Sequence, residues 1–201
     1  MHDGDKNDRA REVSPAYGLP TGRLTYSDYC RLPPGQRYEL IEGDISMPPS
    51  PSTVHQRISR RLEMALVAWA EGGGFGEVFD APYDVVLSDR NVVQPDILYV
   101  SRERSSIVTA TNVRGAPDLV IEVLSPSQED WDRVIKRTVY AGYGVREYWL
   151  VDPTFRTVEV LARDGRDLRS LGIYGVHDVM SGVLLPGFSL DIGMLFADQR
   201  D

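Results

Sequence analysis

Six consecutive residues, Leu119-Val120-Ile121-Glu122-Val123-Leu124, limit the fold of this chain more than any others. A strand this apolar is buried on both faces, which sets it inside a covered sheet. A capping signature, Ser127-Gln128-Glu129-Asp130, comes next, and a helix is expected from there to about residue 143. A further apolar strand is expected over 146–151. A helix joining two strands in this way is a crossover, so the two strands are parallel.

The wider pattern agrees. Ile58, Leu62, Ala65, Leu66 and Trp69 recur at spacings of three and four, which predicts a helix over 54–71 with one apolar stripe. Strands are expected over 77–87 and 92–100, and a loop over 101–117. A short helix over 25–32, capped by Thr25, and a hairpin over 38–47, turning at Gly43-Asp44, precede them. A Pro/Ser loop spans 48–52. A second hairpin is expected from strands over 157–161 and 168–174, and the apolar stretch 183–196 has no assignable type. The central order is αβββαβ, an α/β fold (α+β in some schemes) with a mixed central sheet flanked by helices and added hairpins. The chain of 201 residues suits one domain over 23–196 between polar tails at 1–22 and 197–201.

Composition removes several classes of function. The net charge of -8 argues against a protein that coats DNA non-specifically. A local basic groove remains compatible with it. No apolar run reaches the roughly 18 residues of a membrane span, and the polar N-terminus does not resemble a secretory signal. Cys30 is the only cysteine, so neither an internal disulfide nor a cysteine-based zinc site can form. A cytoplasmic location is the expectation.

Two acids interrupt the apolar strands. Glu122 shares a face with Val120 and Leu124, and Asp96 shares one with Gln94 and Leu98. A carboxylate there is costly unless it is paired, hydrogen-bonded or bound to metal. Glu122 in a salt bridge with an arginine, and Asp96 as a turn or pairing residue, are the plain alternatives. If the strands are neighbours, the carboxylates converge, and oxygen ligands of this kind suit Mg²⁺ or Mn²⁺. Asp132, Lys136 and Tyr140 follow at i, i+4 and i+8, on one side of the helix. Asp132 and Lys136 can form an ordinary exposed ion pair, worth about 0.3–0.5 kcal/mol. The other consideration is that Lys6 and Lys136 are the only lysines among 22 basic residues. A compact ammonium can sit against one oxygen in a way a guanidinium cannot.

Several segments resemble the Uma-two family of bacterial restriction-endonuclease-like proteins, a branch of the PD-(D/E)xK nuclease superfamily. They are YELIEGD at 38–44, His55-Gln56 opening a helix, VVQPDILYVS at 92–101, GAPDLVIEVLSPS at 115–127 and GVREYWLVDP at 144–153. The resemblance covers roughly residues 24–196. It implies a restriction-endonuclease-like core and a metal-dependent endonuclease acting on DNA. Asp96 and Glu122 would hold Mg²⁺ or Mn²⁺. The superfamily's lysine, two residues after the acid, is replaced by Leu124, and the family pattern points instead to Lys136 in the next helix. Glu39 and His55 match family motifs as supporting residues, and Gln94 shares the face of Asp96 as a further donor. Arg57, Arg60 and Arg61 offer either a phosphate patch or a solvated helix face. A homodimer would supply two sites for two strands. The alternative is a nucleic-acid-binding or regulatory module of the same fold without turnover.

Overall fold

The computed structural model describes residues 22–125 and 129–197. The tails expected at 1–22 and 197–201 lie almost wholly outside these residues, as does Ser127 of the capping signature.

A six-stranded sheet forms the centre. Its strands are β3 (Gly76–Asp80), β6 (Ile97–Ser101), β8 (Leu119–Val123), β9 (Glu147–Asp152), β10 (Thr157–Asp164) and β11 (Asp167–Tyr174), in the order β11-β10-β9-β8-β6-β3. β8 and β9 are parallel, as the crossover requires, and β6 runs antiparallel to β8. The helix α2 (Thr53–Gly72) covers one face, burying Ile58, Leu62, Leu66 and Ala70 against Ile97, Ile121, Val123 and Trp149. Full burial of a Leu or Ile side chain is worth about 1.5–3 kcal/mol, so this stripe is a main attachment of helix to sheet. The other face carries Leu98, Val120, Leu124, Tyr148 and Leu150, covered by Val139, Tyr140 and Ala141 of α3 (Arg137–Tyr143). A wide π-type turn, Trp131–Lys136, leads into α3. Successive residues of β8 thus alternate between two buried layers, which is why the strand is apolar throughout.

A second, five-stranded sheet stands beside it. It contains β1 (Glu39–Ile41), β2 (Asp44–Ser46), β4 (Val85–Ser88), β5 (Asn91–Val93) and β7 (Val113–Arg114), in the order β2-β1-β5-β4-β7. Two expectations need correction here. The single strands expected over 77–87 and 92–100 are each two strands belonging to different sheets. The breaks fall at Pro82 and at Gln94-Pro95, where proline has no N–H to give a ladder. Asp96 therefore sits in a bend just before β6 rather than within a strand. The hairpin turn falls at Glu42-Gly43, one residue earlier than expected. Both residues have positive φ, 53° and 90°, the backbone of a tight two-residue turn in which glycine is favoured.

The remaining elements are small. α1 (Tyr26–Tyr29) begins at Thr25, whose N–H and hydroxyl both donate to Asp28. The loop expected over 101–117 holds a 3₁₀ turn, Arg102–Ile107, and β7. The untyped C-terminal stretch falls on β13 (Leu190–Asp191), paired with β12 (Val179–Met180), and on α4 (Ile192–Leu195), packed under α2. Among the described residues no helix is long and apolar enough to cross a membrane.

Candidate active site

The register of β6 and β8 brings the two acids together. Ile97 pairs with Ile121 and Leu98 with Val120. Continued by one position, that register sets Asp96 opposite Glu122 on the face covered by α3. Asp96 is tied to the strand directly, because the Val123 N–H donates to Asp96 Oδ2 at 2.9 Å. His55, from the first turn of α2, lies 2.9 Å from the same oxygen through Nε2. Its position is set by the helix cap, in which the His55 N–H donates to Ser52 Oγ. The Arg37 Nη1 is 3.5 Å from Asp96 Oδ1.

Lys136 reaches the same place from the π-type turn. Its Nζ lies 3.0 Å from Glu122 Oε1, 3.0 Å from Glu39 Oε1 and 3.4 Å from Asp132 Oδ1. Lysine and carboxylates alike are at most 5% exposed. The exposed ion pair considered for Asp132 and Lys136 is therefore a buried one. Tyr140 completes the i, i+4, i+8 series by donating to Glu122 Oε1 at 2.7 Å. Glu39 arrives from β1 of the smaller sheet, where the Gln94 N–H donates to its Oε1 at 3.0 Å. Gln94 thus serves through its backbone, while its side chain turns away to Asp84 and Tyr29. Arg57 and Arg60 are exposed on α2, whereas Arg61 is bound to the carbonyls of Leu195 and Ala197.

Arg37, Glu39, His55, Asp96, Glu122, Asp132 and Lys136 line one cavity of about 290 Å³, which the 48–52 loop, Leu124, Pro153 and Thr154 also wall. Burial would raise Asp96, but the hydrogen bond and charge of His55, then Arg37 and the Val123 N–H, hold it below the usual carboxylate value. Burial pushes Glu122 up to about 8, opposed in part by Lys136, and Asp132 up to about 6 for the same reason. Burial alone would lower Lys136, yet Glu122, Glu39 and Asp132 raise it well above its ordinary value.

The residues present fit a hard divalent cation by their chemistry. Four carboxylates (Glu39, Asp96, Glu122 and Asp132) face two permanent cations, Arg37 and Lys136. Counted fully ionised, the carboxylates outnumber those two cations by two. Glu39 Oε2 is buried with no partner. Among the described residues no three acid, histidine or cysteine side chains form a ready cage. Mg²⁺ does not demand one, since it commonly takes one or two carboxylates and fills the rest with water and substrate oxygens.

The signals available to sequence reasoning were uneven. Asp132 lay on the recognised helical face, but spacing does not report burial. Arg37 precedes a short strand and follows no period, so only its place beside Glu39 in the chain hinted at it.

A mixed sheet covered by helices, with the second and third core strands converging on a carboxylate pair, defines a restriction-endonuclease-like fold. The chain belongs to the Uma2 family, described as "putative restriction endonuclease", whose pattern matches residues 25–193. It is 28% identical to an uncharacterized protein of Synechocystis, over 80% of this chain and 93% of that one. Its fold is similar to a crystal structure described as a putative nuclease from Anabaena variabilis. The TM-score is 0.73 at 22% identity, covering 86% of this chain and 97% of the other.

Proposed function

We propose that this chain is a divalent-metal-dependent endonuclease that hydrolyses phosphodiester bonds in DNA. One observation supports the reading above all: four carboxylates and Lys136 meet in a single cavity, where acids outnumber the permanent cations Arg37 and Lys136 by two. Family membership supplies the substrate class, since paired carboxylates alone suit many phosphoryl-transfer sites.

Asp96 and Glu122 would hold Mg²⁺ or Mn²⁺, with the free oxygen of Glu39 beside them. Bound there, the cation supplies a Lewis acid for a phosphate oxygen and lowers the pKa of a bound water. Lys136 keeps its proton at working pH and holds a fixed positive charge beside the carboxylates. That charge favours the negative charge that builds on the phosphate as its bond to the 3′ oxygen breaks. His55 and the Val123 N–H keep Asp96 ionised and oriented. Tyr140 orients Glu122.

A second reading keeps nucleic-acid binding without turnover. It is favoured by Leu124, which stands where the superfamily pattern has lysine, and by the three carboxylates that hold Lys136. Purified protein with Mg²⁺ or Mn²⁺ on DNA and RNA separates the two. Cleavage of DNA that falls about 100-fold or more in Asp96→Ala and in Lys136→Ala is the expected result. Undiminished cleavage in both variants overturns the assigned site. Binding with no cleavage under any metal selects the second reading.

A further inference from the structure

Arg37 is the cavity cation whose donors are not all committed. Lys136 is enclosed, with its ammonium in contact with three carboxylates. Its positive charge acts through the field of the site, and no N–H is left over for a ligand. His55 has its Nε2 on Asp96, and its Nδ1, like the Arg37 Nε, is buried without a partner, but it offers one ring nitrogen rather than a fork. Arg37 differs in three respects. Its Nη2 donates to the Gln94 carbonyl, which anchors the guanidinium at one corner. Its Nη1 is at 3.5 Å from Asp96, a loose contact for a charge pair. Its Nε is buried with no partner at all. The side chain is 22% exposed and lines the cavity, so a ligand seated there meets it.

A planar guanidinium presents parallel N–H groups that match two oxygens of a phosphate, and it is less strongly hydrated than an ammonium. An arginine fixed at one corner, with donors to spare beside a carboxylate cluster, is built to hold an anion that the carboxylates alone would repel. Arg37 lies in the segment just before β1 and lines the same cavity as Glu122 and Lys136, so a phosphate seated there meets its charge beside the enclosed Lys136. We infer that Arg37 grips the backbone phosphate of the nucleic-acid substrate in this cavity, by direct hydrogen bonds from its guanidinium to the non-bridging oxygens. The inference rests on the nuclease reading for its substrate, and it names the group that seats that substrate.

The test compares the full-length protein with Arg37→Gln and Arg37→Lys, using one DNA duplex across a range of salt. For Arg37→Gln the expected result is a KM raised about tenfold or more. The salt dependence of log KM should flatten by about 0.9, the value of one phosphate contact. Arg37→Lys should restore that salt dependence while leaving KM raised, because the charge returns without the fork. Thermal unfolding of both variants should stay close to that of the parent. An unchanged KM and salt slope in an active Arg37→Gln protein overturns the inference and leaves the nuclease reading standing. So does a loss of activity that only follows a fall in stability. If the parent binds the duplex without cutting it, and Arg37→Gln flattens the salt dependence of that binding, the inference stands and the nuclease reading falls. A parent that neither binds nor cuts overturns both.

Discussion

At position 136, a chain that uses arginine for all but two of its 22 basic residues carries lysine. The geometry explains the choice. Three carboxylate oxygens at 3.0, 3.0 and 3.4 Å surround one ammonium, and the residue is 4% exposed. A point charge can satisfy three oxygens on different sides, whereas a planar fork directs its donors in one plane. Lys136→Arg keeps the charge but adds bulk to a filled site, a change that costs about 1–3 kcal/mol. Lys136→Met removes the charge and leaves Glu39, Glu122 and Asp132 uncompensated. Breaking a buried pair costs about 3–5 kcal/mol, and protonation of Glu122 and Asp132 moves this case toward the lower end. Urea midpoints should therefore rank parent above Lys136→Arg above Lys136→Met, with cleavage sharply reduced in both variants. Full activity in Lys136→Arg would return the lysine to a compositional accident.

Among the elements, β8, α3 and β9 were legible because two signals agreed: apolar runs marked burial, and helical spacing marked the crossover. The strands on either side were harder. Strand-forming residues continue past Pro82 in 77–87 and past Pro95 in 92–100, and such a run does not say in which sheet each part lies. The same limit applies to the site. Asp96 and Glu122 stood out because a charge in an apolar strand needs a partner. Arg37 and the loop at 48–52 did not, since their role depends on how the smaller sheet packs against the larger. One interaction that joins elements was also hidden. Asp118, fully buried at the start of β8, accepts from the Ser101 N–H at 2.8 Å and from Arg104 and Arg146 at 3.0 Å each. It thereby fastens the end of β6 and the start of β9 to β8. Burial would raise its carboxyl, but the Ser101 N–H and the two guanidiniums outweigh that and hold it below the usual value. A carboxyl lowered in the folded state contributes stability above its unfolded pKa, about 3.9. That contribution disappears as pH falls through the folded value. Asp118→Asn should cost about 1–3 kcal/mol at neutral pH. It should also flatten the loss of stability below about pH 4, measured by denaturant unfolding at several pH values. An unchanged acid limb would remove Asp118 from the account.

For the whole molecule, the cavity is a junction. Glu39 comes from the smaller sheet and Arg37 from the segment just before it, Asp96 from the bend between the sheets, and Glu122 from the larger one. His55 comes from α2, and Asp132 and Lys136 from the turn before α3. Each part brings ionisable groups, and counted fully ionised the four carboxylates outnumber Arg37 and Lys136 by two. Folding gathers these acids in a buried place: burial is the main cause that pushes Glu122 and Asp132 upward, and the neighbouring carboxylates add to it. A cation bound only by the folded state stabilises it through mass action, by about 2.7 kcal/mol at a hundred times its Kd. For a domain of this size, about 2–4 °C of Tm accompanies each kcal/mol. Saturating Mg²⁺ or Mn²⁺ should therefore raise Tm by about 5–11 °C over protein in chelator. Asp96→Asn and Glu122→Gln should lose most of that rise, because each removes an oxygen donor's charge at the centre of the junction. The control is NaCl at matched ionic strength, which screens charge everywhere but cannot coordinate. An equal rise with NaCl, or an undiminished rise in both variants, would mean that the carboxylates balance among themselves and that no cation belongs between them.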